Sequence, residues 1–184
     1  LVRLMVGRDL HDHFPKQRAA IGEEVLRVEH LARAGSLHDI NLSLRRGEVV
    51  GLAGLMGSGR TELARALFGA DPIDGGRIVV RGQERAIRSP RDAIALGLGF
   101  LTEDRKQQGL VLVLSVQENV CLPSVSRLSR LGCMQTAQES ELTRRRIAEL
   151  RIKTPGPRQR VVNLSGGNQQ KVVLAKWLCT QADI

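Results

Sequence analysis

Aromatic side chains are scarce: the 184 residues hold one tryptophan, three phenylalanines and no tyrosine. Proteins that grip single-stranded nucleic acid stack bases on exposed rings, so this scarcity argues against that class. Long apolar runs are also missing. The best of them, Leu110–Leu114, is strand length, far short of the roughly 20 residues that a membrane-crossing helix needs. No secretory signal pattern opens the chain, and Leu1 in place of methionine predicts a start internal to a longer protein. Cysteine is limited to Cys121, Cys133 and Cys179, odd in number and without metal-ligand spacing. They read as buried thiols of a reducing compartment.

What is present fits an ordinary globular domain. The hydrophobic fraction of 42% and charged fraction of 26% are those of a chain that builds a core. Basic residues outnumber acidic ones 28 to 19, a formal charge of +9. They are scattered, with denser clusters at Arg144–Arg146 and Arg158–Arg160. Such clusters more often form a solvated face than a surface for an anionic partner such as nucleotide phosphates or a membrane.

Residues 1–22 read as a linker broken at Pro15. His11 and His13 could ligate a metal, but no third ligand stands nearby, and a solvated linker is favoured. Beyond it, Val25–Glu29 is a short strand candidate. Ile40–Leu44 alternates apolar and polar residues as a half-buried antiparallel strand does. Arg45–Glu48 predicts a turn, and Val49–Ala53 is a continuous apolar run expected to form a strand buried on both faces. Thr61–Phe68 has helical spacing, with Leu63, Ala64 and Leu67 on one side. A turn at Asp74–Gly76 leads into a strand at Arg77–Arg81, and Leu98–Thr102 is again strand-like. Ser89-Pro90-Arg91-Asp92 and Ser115-Val116-Gln117-Glu118 carry capping signals for two helix starts. The second opens a mainly helical stretch to about Arg151. Alternating strands, loops and helices followed by a helical insertion predict an α/β fold.

Two motifs carry chemistry. Gly54-Leu55-Met56-Gly57-Ser58-Gly59-Arg60-Thr61 fits G-x-x-x-x-G-K-[ST], with Arg60 in place of lysine. Its glycines let backbone N–H groups converge on phosphate oxygens, the following helix adds its positive end, and Thr61 offers a hydroxyl to Mg²⁺. Arg60 keeps the positive charge but replaces a compact ammonium with a planar fork. The bland alternative, a plain glycine-rich turn, is disfavoured by the strand-like run before the motif and the helical run after it. The second motif, Leu164-Ser165-Gly166-Gly167-Asn168-Gln169-Gln170-Lys171, opens another helical run and places a second anion-binding helix N-terminus there; alone it could be only a cap.

LSGGNQQKV resembles the signature of ATP-binding cassette proteins, in the form found in monosaccharide importers. GLMGSGRTEL, TEDRKQQGL and SVQENV resemble the second, C-terminal cassette of the ribose, arabinose and galactose importers, and LVRLMVGRDL resembles the linker between their two cassettes. The resemblance implies a P-loop NTPase of cassette type: an antiparallel β subdomain, a helical subdomain at about 111–155, and the signature at 164–170, within a partial cassette spanning 23–184. It implies ATP and Mg²⁺ as cofactors and head-to-tail pairing with a second cassette. Gly54, Leu55, Met56, Gly57, Ser58, Gly59, Arg60, Thr61 and Glu62 would hold one nucleotide. Ser165, Gly166, Gly167, Asn168 and Gln169 would cover the nucleotide held by the partner cassette. Thr61 and Glu103 are the implied metal ligands, and Glu103, Ser165 and Gly167 the implied catalytic residues. Permease subunits, docking near Glu103–Leu122, and indirectly a periplasmic sugar-binding protein complete the implied partners, at the cytoplasmic face of the membrane and without nucleic acid.

Departures from the family pattern accompany the match. Glu103 stands where the family has a glutamine, and Leu31–Leu37 lacks the aromatic on which adenine stacks. With Arg60, these imply a degenerate site. The family also continues past the position of Ile184 into a strand bearing the Mg²⁺-holding aspartate and the water-polarising glutamate. The resemblance therefore implies a C-terminally incomplete cassette, marginally folded and inactive alone, since losing a general base costs roughly 10²–10⁴-fold. A non-transport cassette, regulatory or translation-associated, is the alternative. A DNA-maintenance type is disfavoured because no sustained heptad pattern separates the two motifs.

Overall fold

The computed structural model describes residues 19–130 and 133–184. The His11–His13 pair and the LVRLMVGRDL stretch lie outside the described residues. A four-stranded antiparallel sheet comes first, built from β1 (Glu24–Arg33), β2 (Leu37–Arg45), β3 (Gly75–Val80) and β4 (Gln83–Glu84) in the order β2-β1-β3-β4. β1 is central, with Val28 opposite Leu42 on one side and Ile78 on the other. The alternation expected at Ile40–Leu44 is met: Ile40, Leu42 and Leu44 are half-buried while Asn41 and Ser43 face out. Helix α1 (Arg60–Leu67) lies between β2 and β3 in the chain. It buries Leu63 and Ala66 rather than the expected Ala64.

Both capping signals form helix starts. Ser89 accepts the Asp92 amide at the start of α2 (Pro90–Ala95). Ser115 and Glu118 make a reciprocal box at the start of α3 (Val116–Cys121). The helical stretch continues through α4 (Val125–Leu128), a two-residue hairpin of β5 (Ser129–Arg130) and β6 (Cys133–Met134), and α5 (Thr136–Glu149). The last helix is α6 (Gly166–Thr180). It packs against α3 and α5 around the fully buried Val116, Val120, Thr143 and Val172. Burying each such valine contributes about 1.5–3 kcal/mol.

Two expected strands are absent. Val49–Ala53 and Leu98–Thr102 run as irregular chain, with Val49 95% exposed and Leu101 50% exposed. A strand needs a hydrogen-bonded neighbour along at least one edge, and no described residues supply one to Val49–Ala53. The second segment has only the beginning of a ladder, in which the Gly99 amide donates to Ile184 and the Asp183 and Ile184 amides donate to Gly97. Three of the four aromatic side chains tie this segment to the helices. Phe68, which ends α1, packs edge-on against Trp177 of α6 at 5.3 Å and lies 5.4 Å from Phe100. The Leu98–Thr102 segment that leads to Glu103, α1 and α6 thus share one apolar anchor.

Candidate functional site

The phosphate loop takes its shape from glycines. Gly59 caps α1 in the left-handed conformation, φ 87°, without a side-chain bond. A side chain there would be strained, and its Cβ would meet the Ser36 carbonyl at 3.1 Å. At Gly54 a Cβ would sit 2.4 Å from Ser58 Oγ, so a larger residue there would displace the Ser58 side chain. Around it lies a cleft of about 220 Å³ lined by Met56, Gly57, Ser58, Gly59, Arg60, Thr61, Glu62 and Glu103. Leu55 and Met56 are almost fully exposed. The guanidinium of Arg60 folds back on the loop and donates to the Leu55 carbonyl at 3.4 Å.

Inside this cleft the Thr61 hydroxyl donates to Glu103 Oε1 at 3.1 Å. The positive end of α1 favours an anion here, yet an anion beside a carboxylate is repelled unless a cation bridges them. Two hard oxygen donors facing a phosphate cradle fit Mg²⁺, which takes one or two protein oxygens and completes its shell with phosphate and water. The helix is anchored from its other end. Asp71 accepts two bonds from Arg65 of α1, at 2.7 and 2.8 Å, and one from Arg33 of β1 at 2.7 Å. The Arg65 hydrogen bonds, and then Arg33, hold the Asp71 carboxyl below the usual range.

The second motif forms the N-terminus of α6. Ser165 and Gly167 are exposed, and nothing stands within 4 Å of where a Gly167 Cβ would be. The neighbouring amides are already engaged. Asn168 donates to Ser165 Oγ at 2.9 Å and accepts the Lys153 amide at 2.9 Å. Gln169 is buried; its amide donates to the Val161 carbonyl at 3.1 Å and accepts from Arg105 at 3.4 Å. Of the residues 165–169, then, Ser165 and Gly167 present themselves outward while Asn168 and Gln169 build the turn beneath them. None of the five lines the phosphate cleft. The two motifs form separate surfaces.

The family pattern described as ABC transporter matches residues 37–184. The chain belongs to the ABC transporter family. Ribose import ATP-binding protein RbsA 3 of Rubrobacter xylanophilus is 51% identical over 184 residues, covering 100% of this chain and 37% of that protein. Ribose import ATP-binding protein RbsA of Bacillus subtilis is 46% identical over 178 residues, 97% of this chain and 36% of that protein. The chain thus spans little more than a third of the length of these curated relatives. Among solved structures, the ADP conformation of MJ1267, an ATP-binding cassette of an ABC transporter, aligns with a TM-score of 0.68 at 20% identity. It covers 87% of this chain and 66% of that one. At that identity the likeness establishes the cassette fold.

Within this cassette, three residues that the sequence reading passed over organise the site. Asp71 clamps α1. Arg105 links the segment after Glu103 to Gln169. Lys176 is buried, donates to the Gly109 carbonyl at 2.6 Å, and lies 5.1 Å from the Trp177 ring. A signal for Lys176 was present: it shares the helical spacing of Val172, Val173 and Cys179, an apolar face on which a lysine is out of place. The expected burial of all three cysteines is corrected by Cys133, exposed in β6, whereas Cys121 and Cys179 are buried. Cys133 is paired with Arg130 in the β5–β6 hairpin, and it is the neighbouring Met134 that packs against the core.

Proposed function

We propose that this cassette is the second of two in the ATP-binding subunit of a carbohydrate importer. ATP would lie on the N–H groups of residues 55–61, with Thr61 and Glu103 holding Mg²⁺. The observation that carries the reading is the Thr61–Glu103 hydrogen bond at 3.1 Å at the mouth of a glycine-capped helix. The names of the relatives supply the import of a sugar. Ser165 and Gly167, outward-facing at the N-terminus of α6, would close over the nucleotide of the other cassette. That division fits two motifs on separate surfaces.

In this reading ATP hydrolysis supplies the free energy of uptake, and the chain's own residues bind and orient. Loop amides and Arg60 would neutralise phosphate charge, while the Thr61 hydroxyl and the Glu103 carboxylate would hold the metal. Permease subunits and a periplasmic sugar-binding protein are the partners, and the subunit works at the cytoplasmic face of the membrane. Among the described residues no helix is long and apolar enough to cross a membrane, which suits a peripheral subunit.

The test is nucleotide affinity in the full polypeptide, with and without Mg²⁺. Thr61→Ala should weaken Mg²⁺–ATP binding about tenfold, ~1.4 kcal/mol, and leave metal-free ATP binding within twofold. Equal losses in both conditions would remove Thr61 from the metal site. Reconstituted with permease, turnover should rise with the sugar-loaded binding protein; co-sedimentation with ribosomes instead would favour a translation-associated cassette.

A further inference from the structure

Glu103 is joined to α6 by a short, internally bonded segment. Asp104 caps a single π-helical turn, Arg105–Gly109. Its carboxylate accepts the Lys106 and Gln107 amides at 2.8 and 3.1 Å, and its carbonyl accepts the Gln108 and Gly109 amides at 3.0 and 3.2 Å. The turn meets α6 at both ends. At its start Arg105 bonds Gln169, and its guanidinium lies so close to Gly166 that a Cβ there would meet it at 2.8 Å. At its finish the Gly109 carbonyl accepts the buried Lys176 ammonium at 2.6 Å, and a Gly109 Cβ would touch Val173 of α6 at 3.2 Å.

Lys176 is an unusual occupant of such a place. Among the described residues no carboxylate pairs with it, and burial lowers its pKa. A buried ammonium whose hydrogen-bond partner is a backbone carbonyl is costly. Packing alone would be served as well by methionine or leucine. What the lysine adds is a directed, charge-assisted bond to the one carbonyl that ends the turn begun at Asp104.

We propose that Lys176 and Arg105 are positioning residues that latch the Arg105–Gly109 turn to α6, so that Glu103 moves as one body with Ser165 and Gly167. The latch ties the carboxylate of one nucleotide site to the surface that completes the other. Its consequence for the metal rests on the role proposed above for Glu103; the latch itself does not.

Two measurements on the full polypeptide separate these levels. The first is hydrogen exchange without nucleotide. Lys176→Met should speed exchange of the Gln108 and Gly109 amides about tenfold or more, leave mid-α6 amides unchanged, and be reversed by Lys176→Arg. Unchanged exchange, acceleration throughout α3 and α6, or no rescue by arginine overturns the latch. Should Lys176→Met fail to fold, Arg105→Gln, at a half-exposed position, is read in the same way at Lys106 and Gln107. The second is a double-mutant cycle in ATP turnover. Lys176→Met should lower kcat about tenfold with KM for ATP within about twofold, and add less than about twofold on top of Glu103→Gln. Fully multiplicative effects overturn the action through Glu103. If Glu103→Gln alone leaves turnover at the wild-type level, the metal role of Glu103 fails, and the coupling to it falls while the exchange result still judges the latch.

Discussion

Side-chain chemistry in this protein is set by small differences in depth. Cys121 is buried, and desolvation pushes its pKa up to about 11; burial also raises that of Cys179. Cys133 is exposed. Thiolate is the reactive form, so at pH 8 a maleimide should modify Cys133 within minutes and reach Cys121 and Cys179 only after denaturant is added. Mass spectrometry of the labelled peptides checks this, and rapid native labelling of Cys121 would contradict its placement against Thr143 of α5. The sequence showed three thiols without metal spacing, yet not which of them sits outside the core. Gln169 makes the same point. Its place in the signature was legible, whereas its inward turn towards Val161 depends on a segment eight residues away along the chain.

Elements are held in place by polar clamps as much as by apolar contact. Asp71 joins α1 to β1 through Arg65 and Arg33, with its side chain 15% exposed. Replacing it with asparagine removes charge-assisted bonds that contribute about 2 kcal/mol. Asp71→Asn should therefore lower the denaturation midpoint at pH 7. The pH dependence follows from the direction of the shift. The folded carboxyl is held below its unfolded value, so its contribution is complete above pH ~4 and fades as pH falls through the lowered folded value. The wild-type protein should lose more stability than Asp71→Asn in that acid range, as read from urea midpoints. Identical acid limbs would show that the clamp stores no stability. The caps at Ser89 and Ser115 were legible because their partners lie three residues apart. The Asp71 clamp was not, because Arg33 lies 38 residues away.

At the scale of the whole molecule, the sheet and the α3, α5 and α6 helices share one apolar core, and several apolar side chains remain outside it. Val49, Leu52 and Leu101 are half to almost fully exposed, and so are Leu55 and Met56 in the loop. Apolar area of this kind marks a contact surface or a liability to associate. The 184-residue chain on its own should enhance the fluorescence of the dye ANS, and Val49→Asp with Leu52→Asp should reduce the enhancement. An ANS signal no greater than that of a well-packed monomer of similar size would mean that these residues are covered in solution.

The sequence by itself determined the short-range features: the β2 alternation, the side-chain caps at Ser89 and Ser115, the glycine-shaped loop before α1 and the helix after Ser165. Each depends on residues within one turn or one strand of one another. It also carried the cassette resemblance, since the motifs are contiguous strings. Tertiary structure decided the rest. Val49–Ala53 has the composition of a buried strand but, among the described residues, no neighbour to pair with, and pairing is a property of two segments. Glu103 meets Thr61 across 42 residues, and Lys176 meets Gly109 across 67. Only the fold brings such groups within hydrogen-bond distance, because local spacing fixes which face a side chain occupies and not what that face will meet.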